Sequence, residues 1–295
     1  MKLSKAEAAL FSRLFSAGVF RDLENCSRSE LLGRLLAVSG LEKVAKADEP
    51  LANVLDTAFR ILRLSDVRGD YVFRTALIER ILLGRHNLRT ASALSEFRVA
   101  GSKADVVIIN GTSTAYEIKS DRDSLARLPD QMQDYRKHFA QVVVVASECH
   151  LSVLEGMVPR DVGILSLSKK LTLRCVREPI ARPELVDSVS LLNAIRVGEA
   201  KSVVKQICGE VPDVPNTSIR ATLARAVQPV DPIEVHDAVF RVLRESRSQA
   251  PLDEFIKSLP ISMRSVALAR NPSQPKQQHV KSALSTPFGE ALTWR

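Results

Sequence analysis

The sequence predicts an α/β protein in which a compact α-β-β-β-α-β unit with a mixed sheet lies between two helical regions. Three observations predict it: helical apolar spacing near the N-terminus, a middle stretch of short β-rich segments, and a return to helical spacing after about residue 180. We divide the chain into a helical N-terminal region (1–65), a core (66–170), a helical C-terminal region (171–270) and a flexible basic tail (271–295).

Composition places few limits on function. Of the 295 residues, 45% are hydrophobic and 26% are charged, and no apolar run approaches the roughly 18 residues of a membrane span. The four cysteines are far apart and form no CxxC pair, which favours reduced thiols over disulfides or zinc. We therefore expect a cytoplasmic protein with no membrane partner.

The charge balance is basic, with a net charge of +8. Residues 261–295 carry five basic residues and one acidic residue, which is half of the excess. A basic balance attracts polyanions such as nucleic acid, but a solvated tail explains the same pattern and is slightly preferred.

The first helices come from apolar periodicity. Between Leu51 and Leu62 the apolar residues follow three-and-four spacing, which predicts an amphipathic helix. A second helix is predicted from about Tyr71 to Gly84, where the glycine serves as its stop.

The strands follow in order along the middle of the chain. The segments ALSEFRV, ADVVIIN and STAYEIKS are consecutive and predict an antiparallel meander. QVVVVAS follows a predicted helix, as in a crossover to a parallel neighbour, and VGILSLS predicts a further short strand.

The remaining elements are read from capping signals. Asp231 followed by Pro232 predicts the start of a helix over IEVHDAVFRVLRES. The polar stretch NPSQPKQQH contains two prolines and is interpreted as part of the flexible tail.

The candidate chemistry lies in two of the predicted strands. Asp105 is in ADVVIIN, and Glu117 and Lys119 are two positions apart in STAYEIKS. Because side chains alternate along a strand, Glu117 and Lys119 project from one face of the sheet. Two carboxylates and an ammonium group suit metal-dependent phosphodiester hydrolysis, since carboxylate oxygens hold Mg²⁺ and the lysine stabilises developing charge.

Convergence of these side chains requires a particular turn. Asn110-Gly111 favours a two-residue hairpin turn, but that register would place Asp105 opposite Tyr116 and leave Glu117 on the wrong face. We therefore predict a three-residue turn, Asn110 to Thr112, or a bulge that shifts the register.

The same residues also allow a purely structural interpretation, without a metal site. Asp105 is then a turn-capping residue at the start of a strand, and Glu117 and Lys119 form a cross-strand ion pair on a solvated face. Each residue alone fits this interpretation well, whereas the set together favours a metal site.

The pattern D-x11-ExK across a hairpin, followed by a helix and a strand, resembles the PD-(D/E)xK phosphodiesterase superfamily and its restriction-endonuclease-like fold. The segment EIKSDRDSLARLPDQMQDYRKHF is similar to a group of small bacterial members whose role is unassigned. The resemblance covers roughly residues 66–170 and leaves both flanks uninterpreted. It departs from the superfamily name at Ala104, where proline is expected.

The resemblance implies a site. Asp105 and Glu117 would be ligands of Mg²⁺, with Mn²⁺ as a substitute, Ile118 would offer its backbone carbonyl, and Lys119 would be the catalytic lysine. Members often add a carboxylate from a preceding element. Two residues compete for that role: Glu79, on an apolar helix stripe, and Glu96, in the preceding strand.

Nearby residues suggest contacts with nucleic acid. Gln131 and Tyr135 form QxxxY, which occupies one helix face and resembles a motif of the RecB-like branch, although Tyr135 would equally suit a core position. Arg122 is a candidate phosphate contact within DRDS, which also has the composition of a turn and helix start. Pro129 predicts a fresh helix start.

Three functions remain open from sequence. The preferred one is a metal-dependent deoxyribonuclease with nucleic acid, expected to be DNA, as its partner, acting in phage defence, mobile-element biology or repair. The alternatives are a catalytically silent nucleic-acid-binding protein and a protein-interaction module on the same fold. The helical flanks are large enough for a homodimer. The sequence contains no glycine-rich phosphate loop, so it gives no support for ATP dependence.

Overall fold

A six-stranded mixed sheet forms the centre of the chain, with helices on both faces. The structure is a computed structural model that describes residues 3–211 and 213–294. The strands are β1 (Ser92–Val99), β2 (Ser102–Ile109), β3 (Ser113–Lys119), β4 (Gln141–Ala146), β5 (Gly163–Leu167) and β6 (Leu173–Arg177). Their spatial order follows their chain order; β3, β4 and β5 are parallel, and the other neighbours are antiparallel.

The helices fall before, within and after the sheet. They are α1 (Lys5–Arg13), α2 (Ala17–Cys26), α3 (Glu30–Ser39), α4 (Leu51–Leu64), α5 (Asp70–Leu77), α6 (Leu128–Arg136), α7 (Leu151–Met157), α8 (Ser188–Asn193), α9 (Val197–Cys208), α10 (Asn216–Val227), α11 (Pro232–Ser246), α12 (Asp253–Ser258), α13 (Ile261–Arg270), α14 (Gln274–Ser285) and α15 (Phe288–Ala291). No helix within the described ranges is long and apolar enough to cross a membrane.

Capping side chains set the ends of several helices. The Ser4 hydroxyl accepts a hydrogen bond from the Glu7 backbone N–H, and the Glu7 carboxylate accepts one from the Ser4 backbone N–H. These two bonds form a capping box. The Asp231 carboxylate accepts from the Ile233 N–H at the start of α11, and Pro232 occupies the first helical position. The predicted start of α11 is therefore confirmed.

The predicted helix from Tyr71 to Gly84 is present but is not regular. α5 is followed directly by a π-helical turn over Ile78–Leu82. Gly84 follows this turn at a position where a Cβ would lie 2.8 Å from the Arg80 carbonyl oxygen and 2.9 Å from that of Glu79, so a larger residue would require a shift of the backbone.

The two faces of the sheet bury two different sets of helices. Val106, Ile108 and Tyr116 pack with α1–α5 and α12–α15, whereas Val107 and Ala115 pack with α6–α11. The alternation of side chains along β2 and β3 produces this division. The C-terminal helices therefore separate, with α8–α11 on one face and α12–α15 returning to the N-terminal helices on the other.

The β2–β3 hairpin has the predicted three-residue turn. Ile109 pairs with Ser113, so Asn110, Gly111 and Thr112 form the loop, and Val106 pairs with Tyr116. The same register sets Asp105 opposite Glu117. The predicted condition for convergence is confirmed.

The prediction of a flexible tail over residues 271–295 was wrong. Gln274–Ser285 form α14, with Pro275 in its first turn, where no backbone N–H is needed. Val280, Ala283 and Leu284 are buried against the N-terminal helices, and Trp294 joins the same core. These apolar residues outweigh the polar and proline-rich start of the segment. Strand β6 was also not predicted.

Candidate functional site

Asp105, Glu117 and Lys119 lie together at the end of the β2–β3 hairpin, on the sheet face that α6 covers. Glu117 and Lys119 share that face because they are two positions apart in β3, and the three-residue turn brings Asp105 to it. All three line a cavity of about 750 Å³, and Ile118 contributes to the same wall. The Ile118 N–H donates a hydrogen bond to Asp105 Oδ2 at 2.8 Å, which fixes this carboxylate against β3.

Glu117 is the centre of a buried hydrogen-bond network. Lys119 Nζ donates to Glu117 Oε1 at 2.8 Å, Gln131 Nε2 donates to the same oxygen at 2.7 Å, and the Tyr135 hydroxyl donates to Oε2 at 2.8 Å. The side chains of Glu117 and Lys119 are 4% and 6% exposed. The ion pair exists, but it is buried, so the interpretation as a pair on a solvated face is wrong.

α6 supplies two of these partners. The helix begins at Leu128 with Pro129 in its first turn, close to the predicted start, and its QxxxY spacing directs Gln131 and Tyr135 to the same carboxylate. Gln131 Oε1 also accepts from Lys119 Nζ at 3.0 Å. Tyr135 is fully buried, so it belongs both to the core and to the site.

Excess negative charge surrounds Asp105. Burial, together with the charges of Glu117 and Asp70, raises the pKa of Asp105 to about 7, against the opposing effects of the Ile118 N–H and Arg74. Arg74 Nη2 lies 3.0 Å from Asp70 Oδ2, 2.8 Å from Glu96 Oε1 and 3.8 Å from Asp105 Oδ1. One positively charged guanidinium therefore lies near three carboxylates, so negative charge exceeds positive charge around Arg74.

The additional carboxylates include one that sequence reasoning missed. Glu96, in β1, lines the cavity and lies opposite Asp105 of β2. Its φ of +57° is in the left-handed region, which is uncommon for a residue other than glycine. Asp70, at the start of α5, also lines the cavity. Asp70 is the carboxylate that the sequence analysis did not name, and its sequence signal is an acidic residue at the first position of the helix before the sheet.

Glu79 is not part of this site, and its assignment as a ligand was wrong. It lies on the other side of the sheet, where Arg264 Nη1 bonds its Oε2 at 3.0 Å, and it lines a different cavity. The partner that its apolar stripe required is therefore an arginine far along the chain.

A buried ion pair fixes the segments on both sides of the cavity. Arg68, 4% exposed, donates from Nε and its backbone N–H to Asp121 Oδ2 and from Nη2 to Oδ1. Arg68 lies two residues before Asp70, and Asp121 lies two residues after Lys119. The pair therefore joins the start of α5 to the end of β3.

Arg122 does not face the cavity. Its Nε donates to the Val67 carbonyl oxygen at 2.8 Å, and it is absent from the cavity wall. Lys103 and Arg127 are the cations at the wall besides Lys119 among the described residues. Lys103 pairs with Glu96, whereas Arg127 is exposed and its side chain forms no hydrogen bond or ion pair with the described residues.

Acidic side chains outnumber basic ones, seven to three, among the described residues that line the cavity. A polyanion therefore gains little from this wall without added cations. Within the described ranges, however, no three acidic, histidine or cysteine side chains lie close enough together to hold a metal ion by themselves. A cation here would therefore need oxygens from water, substrate or the backbone besides those of the carboxylates.

The chain resembles a phage protein family. The family model described as Bacteriophage P4 protein cII matches residues 64–270, which is more than half of the chain. Protein cII of Enterobacteria phage P4 is 37% identical over 104 residues, covering 35% of this chain and 39% of that protein. The chain thus spans about two fifths of this relative's length. No solved structure matches the chain described here. From the extent of the family match, the chain belongs to the bacteriophage P4 protein cII family.

Proposed function

We propose that this protein is a metal-dependent nuclease of the PD-(D/E)xK kind, with a restriction-endonuclease-like core formed by α5, β1–β3, α6 and β4. The observation that carries the proposal is the convergence of Asp105, Glu117 and Lys119 on one sheet face at the wall of a 750 Å³ cavity. The order of those elements and the parallel pairing of β3 with β4 support the same assignment.

The residues fit Mg²⁺ through two carboxylates. Mg²⁺ in nucleotide-processing sites is commonly held by one or two carboxylates, with water and phosphate oxygens completing its shell. Asp105 and Glu117 supply hard oxygens where acidic charge is in surplus, and the Ile118 carbonyl and Glu96 are further candidates. When bound, the cation supplies positive charge that activates water and neutralises the phosphate.

The remaining groups position and stabilise. Lys119 has three N–H donors, and Glu117 and Gln131 are its acceptors among the described residues, which leaves one donor for a phosphate oxygen as negative charge develops. Gln131 bonds both Lys119 and Glu117 and so fixes their relative orientation. Tyr135 holds Glu117 from the other side.

The alternative is a catalytically silent module that binds nucleic acid or protein. One observation favours it: Glu117 already accepts bonds from three side chains, which leaves one lone pair for a metal. A protein-binding module of this kind would include a homodimer formed through the helical flanks.

Cleavage assays separate the two. Purified protein is incubated with supercoiled, linear and single-stranded DNA and with RNA, in Mg²⁺ or Mn²⁺, with EDTA and the Asp105→Ala variant as controls. We expect cleavage of DNA that EDTA and the variant abolish. Folded protein that cleaves none of the substrates in either metal would favour the silent module.

A further inference from the structure

One guanidinium nitrogen lies where three carboxylates of the cavity converge. Arg74 Nη2 donates to Asp70 Oδ2 at 3.0 Å and to Glu96 Oε1 at 2.8 Å. The same nitrogen lies 3.8 Å from Asp105 Oδ1. The three acids belong to α5, β1 and β2, and each of them lines the cavity of about 750 Å³. Oxygens from three separate elements therefore surround one positively charged atom, as they would surround a metal cation.

The Arg74 side chain is buried and does not itself line the cavity. It is 14% exposed, whereas the side chains of Asp70 and Glu96 are 46% and 42% exposed. A cation that entered the cavity could therefore reach both carboxylates. Arg74 could leave them only by abandoning buried ion pairs, which is costly for the groups left behind.

The spacing of the carboxylate oxygens fits a guanidinium and not a metal. Mg²⁺ takes oxygens at about 2.0–2.1 Å. The oxygens of Asp70 and Glu96 lie 3.0 Å and 2.8 Å from Arg74 Nη2, which are the distances of charge-assisted hydrogen bonds. Among the described residues, no three acidic, histidine or cysteine side chains are close enough together to hold a metal ion. Asp70 and Glu96 are therefore arranged around Arg74.

Asp105 is the carboxylate that Arg74 engages least. Its Oδ2 accepts from the Ile118 N–H at 2.8 Å, whereas its Oδ1 has the longer contact of 3.8 Å with Arg74. Asp105 Oδ1 is therefore the oxygen of this group that is most open to a cation. Glu117, which lines the same cavity, is the carboxylate that would share that cation.

We propose that Arg74 takes the place of a second cation, so that the cavity binds one metal ion, at Asp105 and Glu117, and not two. This rests on the metal site of the proposed function and adds a limit on the number of ions. Arg74 supplies the positive charge that Asp70 and Glu96 require, so neither is a ligand in the wild type. Without Arg74 these carboxylates would lack a shared counter-charge, and a divalent cation would supply it.

Equilibrium dialysis of the full chain against Mn²⁺ counts the bound ions. Wild type, Arg74→Gln and Lys103→Gln are compared without nucleic acid. We expect one ion per chain for the wild type and one more for Arg74→Gln at saturation. Lys103→Gln is the matched control, because Lys103 is an exposed cation of the same wall that pairs with Glu96; it should bind as many ions as the wild type. Adding Asp70→Asn to Arg74→Gln should remove the additional ion.

The outcomes separate the role of Arg74 from the proposed function. No additional ion in Arg74→Gln, an equal gain in Lys103→Gln, or two ions in the wild type would overturn the role of Arg74. A wild type that binds no ion would instead refute the metal site at Asp105 and Glu117, and an ion gained by Arg74→Gln would still support the role of Arg74.

The fold of Arg74→Gln is checked by circular dichroism in EDTA, since the variant leaves three carboxylates without their shared arginine. If it is unfolded in EDTA, Mn²⁺ is added stepwise and the signal is followed. The additional ion should then restore the fold to Arg74→Gln. A variant that stays unfolded at every Mn²⁺ concentration would overturn the proposal.

Discussion

Replacing Tyr135 with phenylalanine removes one oxygen atom and leaves the packing of the ring in place. The ring is fully buried and meets Phe139 edge-on at 6.1 Å between centroids, whereas the hydroxyl has Glu117 Oε2 as its partner at 2.8 Å. Burial and the Glu117 charge raise the pKa of Tyr135, so the hydroxyl stays a donor at ordinary pH. The variant thus isolates one bond to a carboxylate.

The expected loss follows from that bond. A hydrogen bond to a charged group contributes about 1.5–3 kcal/mol to the free energy of unfolding, against about 0.5–1.5 kcal/mol for a neutral one. Lys119 and Gln131 still hold Glu117 Oε1, so the carboxylate keeps partners in the variant. We expect Tyr135→Phe to lower the free energy of unfolding by about 1.5–3 kcal/mol.

Urea denaturation measures this change as a lower midpoint at constant slope. Tyr116→Phe is the matched control, since Tyr116 is buried on the other sheet face and its hydroxyl bonds no carboxylate among the described residues. It should cost about 1 kcal/mol or less. Equal losses in the two variants, or no loss in Tyr135→Phe, would refute the assignment of a buried bond to Glu117.

Three further predictions concern the site and its surroundings. Mn²⁺ should raise the melting temperature of the wild type, and Asp105→Asn should abolish that rise; a rise that persists would contradict metal binding at this carboxylate. Asp70→Asn should reduce the Mn²⁺ effect, whereas Glu79→Gln should not, because Asp70 lines the same cavity as Asp105 and Glu79 lines a different one. Burial opposes ionisation of Glu199, but bonds from Arg247 and its other partners hold its pKa below 4.5. The stabilisation is therefore complete above pH 4.5 and is lost as pH falls through the lower folded-state pKa, so urea midpoints of wild type and Glu199→Gln should converge in acid. A midpoint difference that is independent of pH would contradict this.

The sheet was predictable because its signals are local. Five strands were located as short β-rich segments, and the need for Asp105 to meet Glu117 predicted a three-residue turn or a bulge, of which the structure has the turn. β6 was missed because its segment, LRCVR, is short, partly exposed at the sheet edge and does not alternate regularly between apolar and polar residues.

The errors share a different cause, which is that the partners lie far away in sequence. Glu79 was a reasonable ligand from spacing alone, but Arg264 pairs with it across the fold. The tail was judged by its polar start, whereas the buried side chains of α14 find their core on α2 and α4. Asp70 is an acidic residue at the start of the helix before the sheet, but its place in the cavity wall depends on the packing of α5 against the hairpin.

The most direct test of the nuclease proposal is the cleavage rate of Lys119→Ala beside Lys46→Ala in the same Mg²⁺ assay. Lys46 is an exposed lysine of the N-terminal region that is absent from the cavity wall. We predict that wild type and Lys46→Ala cleave DNA equally, and that Lys119→Ala loses about 10²-fold or more in rate while remaining folded. Equal cleavage by both variants would contradict the catalytic assignment of Lys119, and with it the site on which the proposed function rests.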